Sequence, residues 1–81
     1  MNNPIALISV IIPTYKGEKS IKLLCNEIIY KFKSFNIELI IINDNSPDNT
    51  HDICVDIVKN YSSSNITYIK LGKNFGRIHS T

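Results

Sequence analysis

A short apolar run, Leu39-Ile40-Ile41-Ile42, breaks off at Asn43 and a carboxylate, Asp44. Turn residues follow at once, Asn45-Ser46-Pro47-Asp48-Asn49-Thr50. Ligands of open α/β sheets bind in the crevice outside the carboxyl ends of the strands. A carboxylate placed there can accept hydrogen bonds from a ribose or from the N–H of a base, so this segment points to a nucleotide-type ligand. The same aspartate also suits an Asx-turn or an anion at a helix N-terminus. Ser46 reads as an N-cap followed by Pro47 at the first helical position. Asp48 then falls in the first turn, where it complements the helix dipole and can hold the turn rigid.

Two other segments end in residues with chemistry. Ile12-Pro13-Thr14-Tyr15 places a strand-stopping proline before a hydroxyl and an aromatic ring. Thr14 and Tyr15 could line a crevice over a base; spacing alone favours a plain strand terminator with a partly packed tyrosine. Lys70-Leu71-Gly72-Lys73-Asn74-Phe75-Gly76-Arg77 carries cations among glycines. Lys73 and Arg77 could approach a pyrophosphate, Arg77 as a bidentate donor, although an ordinary basic loop has the same composition. Neither GxxxxGK[ST] nor GxGxxG occurs. His51 and His79 lack metal-ligand neighbours at suitable spacing and read as surface residues. No Ser-His-Asp or Cys-His arrangement is present.

The elements that must position these residues follow from periodicity. Leu7 to Pro13 is a β-branched apolar run, expected as a strand buried on both faces and hence parallel. Glu18 to Phe35 repeats apolar residues at Ile21, Leu24, Cys25, Ile28, Ile29 and Phe32, the stripe of an amphipathic helix. Lysines 19, 22, 31 and 33 fall off that stripe and read as a solvated face. Glu38 to Asn43 is the second strand. Ile53, Cys54, Ile57, Val58 and Tyr61 form a second helical stripe, which Ser62-Ser63-Ser64-Asn65 breaks. Ile66 to Leu71 reads as a third strand, and Gly72 to Thr81 as a loop that could open a third helix. Right-handed crossovers in this βαβαβ order put both helices on one face of the sheet. The other face, and one edge, would then be bare, which is unusual for a parallel sheet. The chain is therefore expected to be an N-terminal piece of something larger, or to need a partner.

Composition sets the bounds. With 81 residues the chain holds at most one small domain, which buries only about 60–65% of its unfolded surface. Its 43% hydrophobic and 20% charged residues fit a globular protein rather than a disordered one. A net charge of +2 does not argue for nucleic acid. No apolar run approaches the ~20 residues of a membrane span, and Met-Asn-Asn-Pro lacks the basic start of a signal peptide. Cys25 and Cys54 form no CxxC pair and read as reduced, buried thiols of a cytoplasmic protein. The sequons at Asn60 and Asn65 read as chance without a secretion signal.

Taken together, three segments resemble the N-terminus of family 2 glycosyltransferases of the GT-A fold. Ser9-Val10-Ile11-Ile12-Pro13-Thr14-Tyr15 is similar to that family's first strand, SVIIPTYN. Ile40 through Thr50 is similar to its IIVDDxSPDxT. Leu71-Gly72-Lys73-Asn74-Phe75-Gly76-Arg77 resembles the LxRNFG segment of its polyprenyl-phosphate sugar transferases, the dolichol-phosphate-mannose-synthase-like branch. The resemblance implies an incomplete, three-layer-type Rossmann-like βαβαβ half of a nucleotide-diphospho-sugar transferase fold. Residues 1–81 would then be its truncated, nucleotide-binding N-terminal part. The implied donor is a UDP- or GDP-sugar, and the implied acceptor a polyprenyl phosphate or a cell-envelope polysaccharide. Pro13, Thr14 and Tyr15 would border the base, Asp44 would meet the base or ribose, and Lys73 and Arg77 would approach the nucleotide.

Two positions depart from the family pattern: Lys16 replaces the usual Asn, and Asn43 the first Asp of a pair. An amide at position 43 still offers hydrogen bonds, so binding is expected to tolerate it. The family's metal-binding Asp-x-Asp and its catalytic base are absent from the sequence. No catalytic residue and no cofactor are expected in this chain, whereas Mg or Mn is expected for a full-length parent. Membrane contact would come only through that parent, at the cytoplasmic face, or through a lipid-linked acceptor. A stand-alone interaction module, such as a homodimer through the bare sheet edge, or a vestigial remnant, is the competing reading. A flavodoxin-like signalling domain would need an acidic pair after the first strand, where this chain has Pro-Thr-Tyr.

Overall fold

The computed structural model describes residues 7–61, 64–73 and 75–80. Its elements are β1 (Ile8–Thr14), α1 (Ile21–Lys31), β2 (Ile37–Asn43), α2 (Thr50–Asn60), β3 (Ile66–Lys70) and β4 (Gly76–Ser80). The sheet order is β1-β2-β3-β4. The first three strands run parallel, and β4 returns antiparallel to β3. The strands form where β-branched residues crowd, as expected for side chains that pack well on a pleated surface.

Alternation along the strands divides the sheet into two faces. Ile12, Leu39, Ile41, Ile66 and Tyr68 point to the helices and form the core with Ile21 and Cys25 of α1 and Cys54, Ile57 and Val58 of α2. Both helices therefore cover one face, as the right-handed crossovers require. Cys25 and Cys54 are free and fully buried. Burial pushes the Cys25 thiol up to about 11 and the Cys54 thiol up to about 12.

Several local expectations are corrected. Residues 76–80, expected as loop or nascent helix, form β4 instead. Without it the outer edge of β3 would present a row of unpaired backbone groups. Gly72, at φ 110°, helps turn the chain back, a conformation open chiefly to glycine. β1 is not buried on both faces: Ile11 is 58% exposed, because nothing among the described residues covers that side of the sheet. α1 is shorter than the Glu18–Phe35 stripe. The Gly17 carbonyl accepts the Ser20 and Ile21 N–H groups at its start, and Phe35 N–H turns back to the Phe32 carbonyl at 2.8 Å after its end. Leu24 of the stripe is exposed. α2 starts at Thr50 with Asn49 as N-cap, not at Ser46-Pro47. Asp48 thus precedes the helix. The Ser62-Ser63 part of the expected helix break, and Asn74 of the third motif, lie outside the described residues. No helix among the described residues is long and apolar enough to cross a membrane.

Candidate functional site

Register brings the three parallel strands to a common end. Thr14 pairs with Asn43, and Asn43 with Lys70. The loops after β1, β2 and β3 therefore leave the sheet side by side, with the Asp44 N–H donating to the Thr14 carbonyl at 3.0 Å and the Leu71 N–H to the Asn43 carbonyl at 2.9 Å.

Side-chain hydrogen bonds lace the first two loops together. Asn43 is fully buried, and its Oδ1 accepts the Ser46 N–H at 3.0 Å and the Ser46 hydroxyl at 2.6 Å. Ser46 Oγ in turn accepts the Lys16 N–H at 2.9 Å. Buried Thr50 accepts the Gly17 N–H at 2.9 Å and donates its hydroxyl to Asp48 Oδ1, which also accepts the Thr50 N–H at 3.1 Å. Glu18 closes the link by accepting the Asn49 N–H at 2.9 Å. The Thr50 hydroxyl, with backbone donors of Thr50 and Glu18, holds the Asp48 carboxyl below its ordinary value of 3.8. Lys16 and Asn45 sit at φ 56° and 51°, in the left-handed region. A Cβ on Gly72 would lie 2.8 Å from Asn45 Cγ, so the third loop rests directly on the second.

Within this frame the residues singled out from the sequence part into two groups. Asp44 is exposed, and among the described residues its carboxylate has no hydrogen-bond partner. The Asx role open to it is taken by Asn43 and Asp48. Thr14 is half-buried at the strand end, and Tyr15 is exposed beside it with the Lys16 ammonium 5.6 Å from its ring centroid. Lys73 is exposed on the third loop. These four residues flank the common end. Pro13 and Arg77 stand apart on the sheet face away from the helices. They close one register row, Pro13–Ile42–Ile69–Arg77, and three strand spacings separate them, about 14 Å.

Two contributors were not foreseen from the sequence. Tyr68 is buried, and its hydroxyl accepts the Asn43 Nδ2–H at 3.0 Å and lies 2.8 Å from His51 Nδ1. The hydroxyl thus joins the Asn43 amide and the His51 ring in one hydrogen-bonded chain. His51, expected as a surface residue, is half-buried and completes this chain. Desolvation raises the Tyr68 phenol above its ordinary value of 10.0. Its alternation within Ile66–Lys70 marks it only as core. His79, also expected at the surface, is exposed there, with Nδ1 2.6 Å from Thr67 Oγ1. Among the described residues, no three His, Cys, Asp or Glu side chains stand close enough to hold a metal ion.

The sequence matches the profile of Glycosyl transferase family 2 over residues 9–80. The chain is 34% identical over 73 residues to CsbB of Bacillus subtilis (strain 168), whose name assigns it provisionally to the glycosyltransferases. That match covers 88% of this chain and 22% of CsbB. It is 26% identical over 83 residues to dolichyl-phosphate beta-glucosyltransferase of Homo sapiens, covering 94% of this chain and 26% of the relative. The Mus musculus enzyme of the same name is 25% identical over the same span. The chain thus spans about a quarter of the length of the curated relatives it matches. With a family match over nearly its whole length, this chain belongs to glycosyl transferase family 2.

Proposed function

We propose that this chain is the nucleotide-recognition part of a family 2 glycosyltransferase. The observation that carries this reading is the Asp44 carboxylate, exposed and unpartnered among the described residues, on a loop held from two sides. A rigid acceptor of this kind suits the N–H of a base or the hydroxyls of a ribose, with Thr14 and Tyr15 bordering the base. Lys73, on the neighbouring loop, is assigned to the diphosphate. Arg77 and Pro13, on the open face, are assigned only to the margin of the donor site. The donor is a UDP- or GDP-linked sugar.

The acceptor class proposed for the whole enzyme is a polyprenyl phosphate, supported by the dolichyl-phosphate beta-glucosyltransferase name of two relatives; a cell-envelope polysaccharide is the other acceptor considered. In that enzyme an acceptor oxygen attacks the anomeric carbon in line, and the nucleoside diphosphate leaves. Mg or Mn is proposed there to stabilise that leaving group, held by residues other than those described in this chain. Residues 1–81 supply recognition alone.

NMR shift mapping with UDP and GDP tests the assignment. Perturbations should gather at Thr14–Lys16, Asp44–Ser46 and Gly72–Lys73. Shifts confined to the amino ends of the strands would overturn it. The competing interaction-module reading rests on the outer edge of β1, which has no neighbouring strand among the described residues. It predicts concentration-dependent dimerisation that is indifferent to nucleotide.

A further inference from the structure

The outer side of α1 has a character that nucleotide recognition does not use. Ile21, Cys25 and Ile28 turn to the core. Leu23 and Tyr30 lie on the opposite side, two turns apart on a single line, and are 64% and 69% exposed. Phe35, just past the helix, is 56% exposed. Lys19, Lys31 and Lys33 are exposed along the same stretch with Glu27, while Lys22 lines a cavity beside Glu18 and Asp56. Residues 19–35 therefore carry four lysines and one acid, a net +3, whereas the whole chain is +2. A second basic stretch, residues 59–77, carries Lys59, Lys70, Lys73 and Arg77 and no acid. The Lys33 ammonium sits 4.6 Å from the Tyr30 ring centroid, tying a cation to the exposed aromatic. Beside Phe35 an open cavity of about 330 Å³ is lined by Ile29, Phe32 and Leu39, with Lys33 among its walls.

Leucine, tyrosine and phenylalanine set among lysines are what a helix presents when it lies in a lipid headgroup layer. A second copy of this chain fits less well. α2 carries the opposing acids, Asp52 and Asp56, but none of the exposed large apolar residues. It could match the charge of α1 and not its apolar line. We propose that the outer face of α1 and the turn after it dock on an anionic membrane surface, with Leu23 and Tyr30 entering the headgroup layer. This surface is separate from the nucleotide reading and stands or falls without it.

The chain has no tryptophan, so Leu23→Trp gives a single reporter. Its emission is expected to shift to the blue with phosphatidylcholine vesicles containing phosphatidylglycerol, and not with phosphatidylcholine alone. Lys31 and Lys59 stand in the last turns of two helices of equal length, which makes them a matched pair. Lys31→Glu should weaken vesicle binding by about tenfold, because a basic residue close to an anionic surface contributes strongly and a distant one little. Lys59→Glu should change it far less. Equal losses in the two variants would overturn the proposal, as would vesicle binding without a blue shift. So would a blue shift that grows with protein concentration in the absence of vesicles, which would assign the face to a second copy.

Discussion

Around Asp44 its neighbours do the structural work. Asn43 and Asp48 accept the loop's own donors, and among the described residues the carboxylate between them has no hydrogen-bond partner. Gly72 shows how tightly this is built. Gly72→Ala combines a φ of 110° with a contact on Asn45, and should cost about 1–3 kcal/mol by urea unfolding. Asp48 makes the loop acid-sensitive. Its carboxyl titrates below the ordinary 3.8, chiefly through the Thr50 hydroxyl. Its contribution is therefore complete above pH 3.8 and fades as pH falls through the lowered folded value. Stability measured across that range should fall less steeply in Asp48→Asn than in the parent chain. Lys16 holds a left-handed conformation that asparagine, the family's usual residue here, adopts at lower cost.

At the scale of elements, β2 and β3 are coupled by the Asn43–Tyr68–His51 chain. Tyr68→Phe keeps the packing and removes the hydroxyl, leaving the Asn43 amide and His51 Nδ1 without their partner. A loss of about 1–3 kcal/mol is expected in thermal or urea unfolding. Fast amide exchange at Ser46 should accompany it if Asn43 then loses its orientation. Elements differ in how far they could be read beforehand. β1 and β2 stand out as runs of isoleucine, valine and leucine ended by polar residues, and β3 as a weakly alternating stretch, Ile66-Thr67-Tyr68-Ile69-Lys70. β4 does not, since Arg77-Ile78-His79 offers one apolar side chain and the strand exists only through pairing with β3. The start of α2 misleads for a related reason. Ser46-Pro47 carries a local cap signature, but Asn43 and Lys16 recruit the Ser46 side chain, and the helix waits until Thr50. Asp44 was visible because an apolar run breaks at it. The role of Tyr68 was not, because its partner Asn43 lies 25 residues away.

At the scale of the molecule, the described residues form one core between a four-stranded sheet and two helices that cover one face of it. Both cysteines sit in that core, and desolvation raises each thiol above the ordinary 9.0. The unfolded chain releases these protons first, so their contribution is complete below pH 9.0 and declines as pH rises toward about 11 and beyond. Each thiol can add up to ~1.4 kcal/mol of loss per pH unit within its own window. Cys25→Ala/Cys54→Ala should flatten the alkaline limb of stability, at the cost of a lower plateau from lost packing. The most direct test of the central claim is a calorimetric titration of the parent chain and Asp44→Ala with UDP and GDP, with and without Mn²⁺. Binding should be indifferent to metal and weaker in the variant by about 10–100-fold, the worth of hydrogen bonds to a charged acceptor. A folded parent chain that binds neither nucleotide, or a variant that binds as well as the parent, would contradict the account.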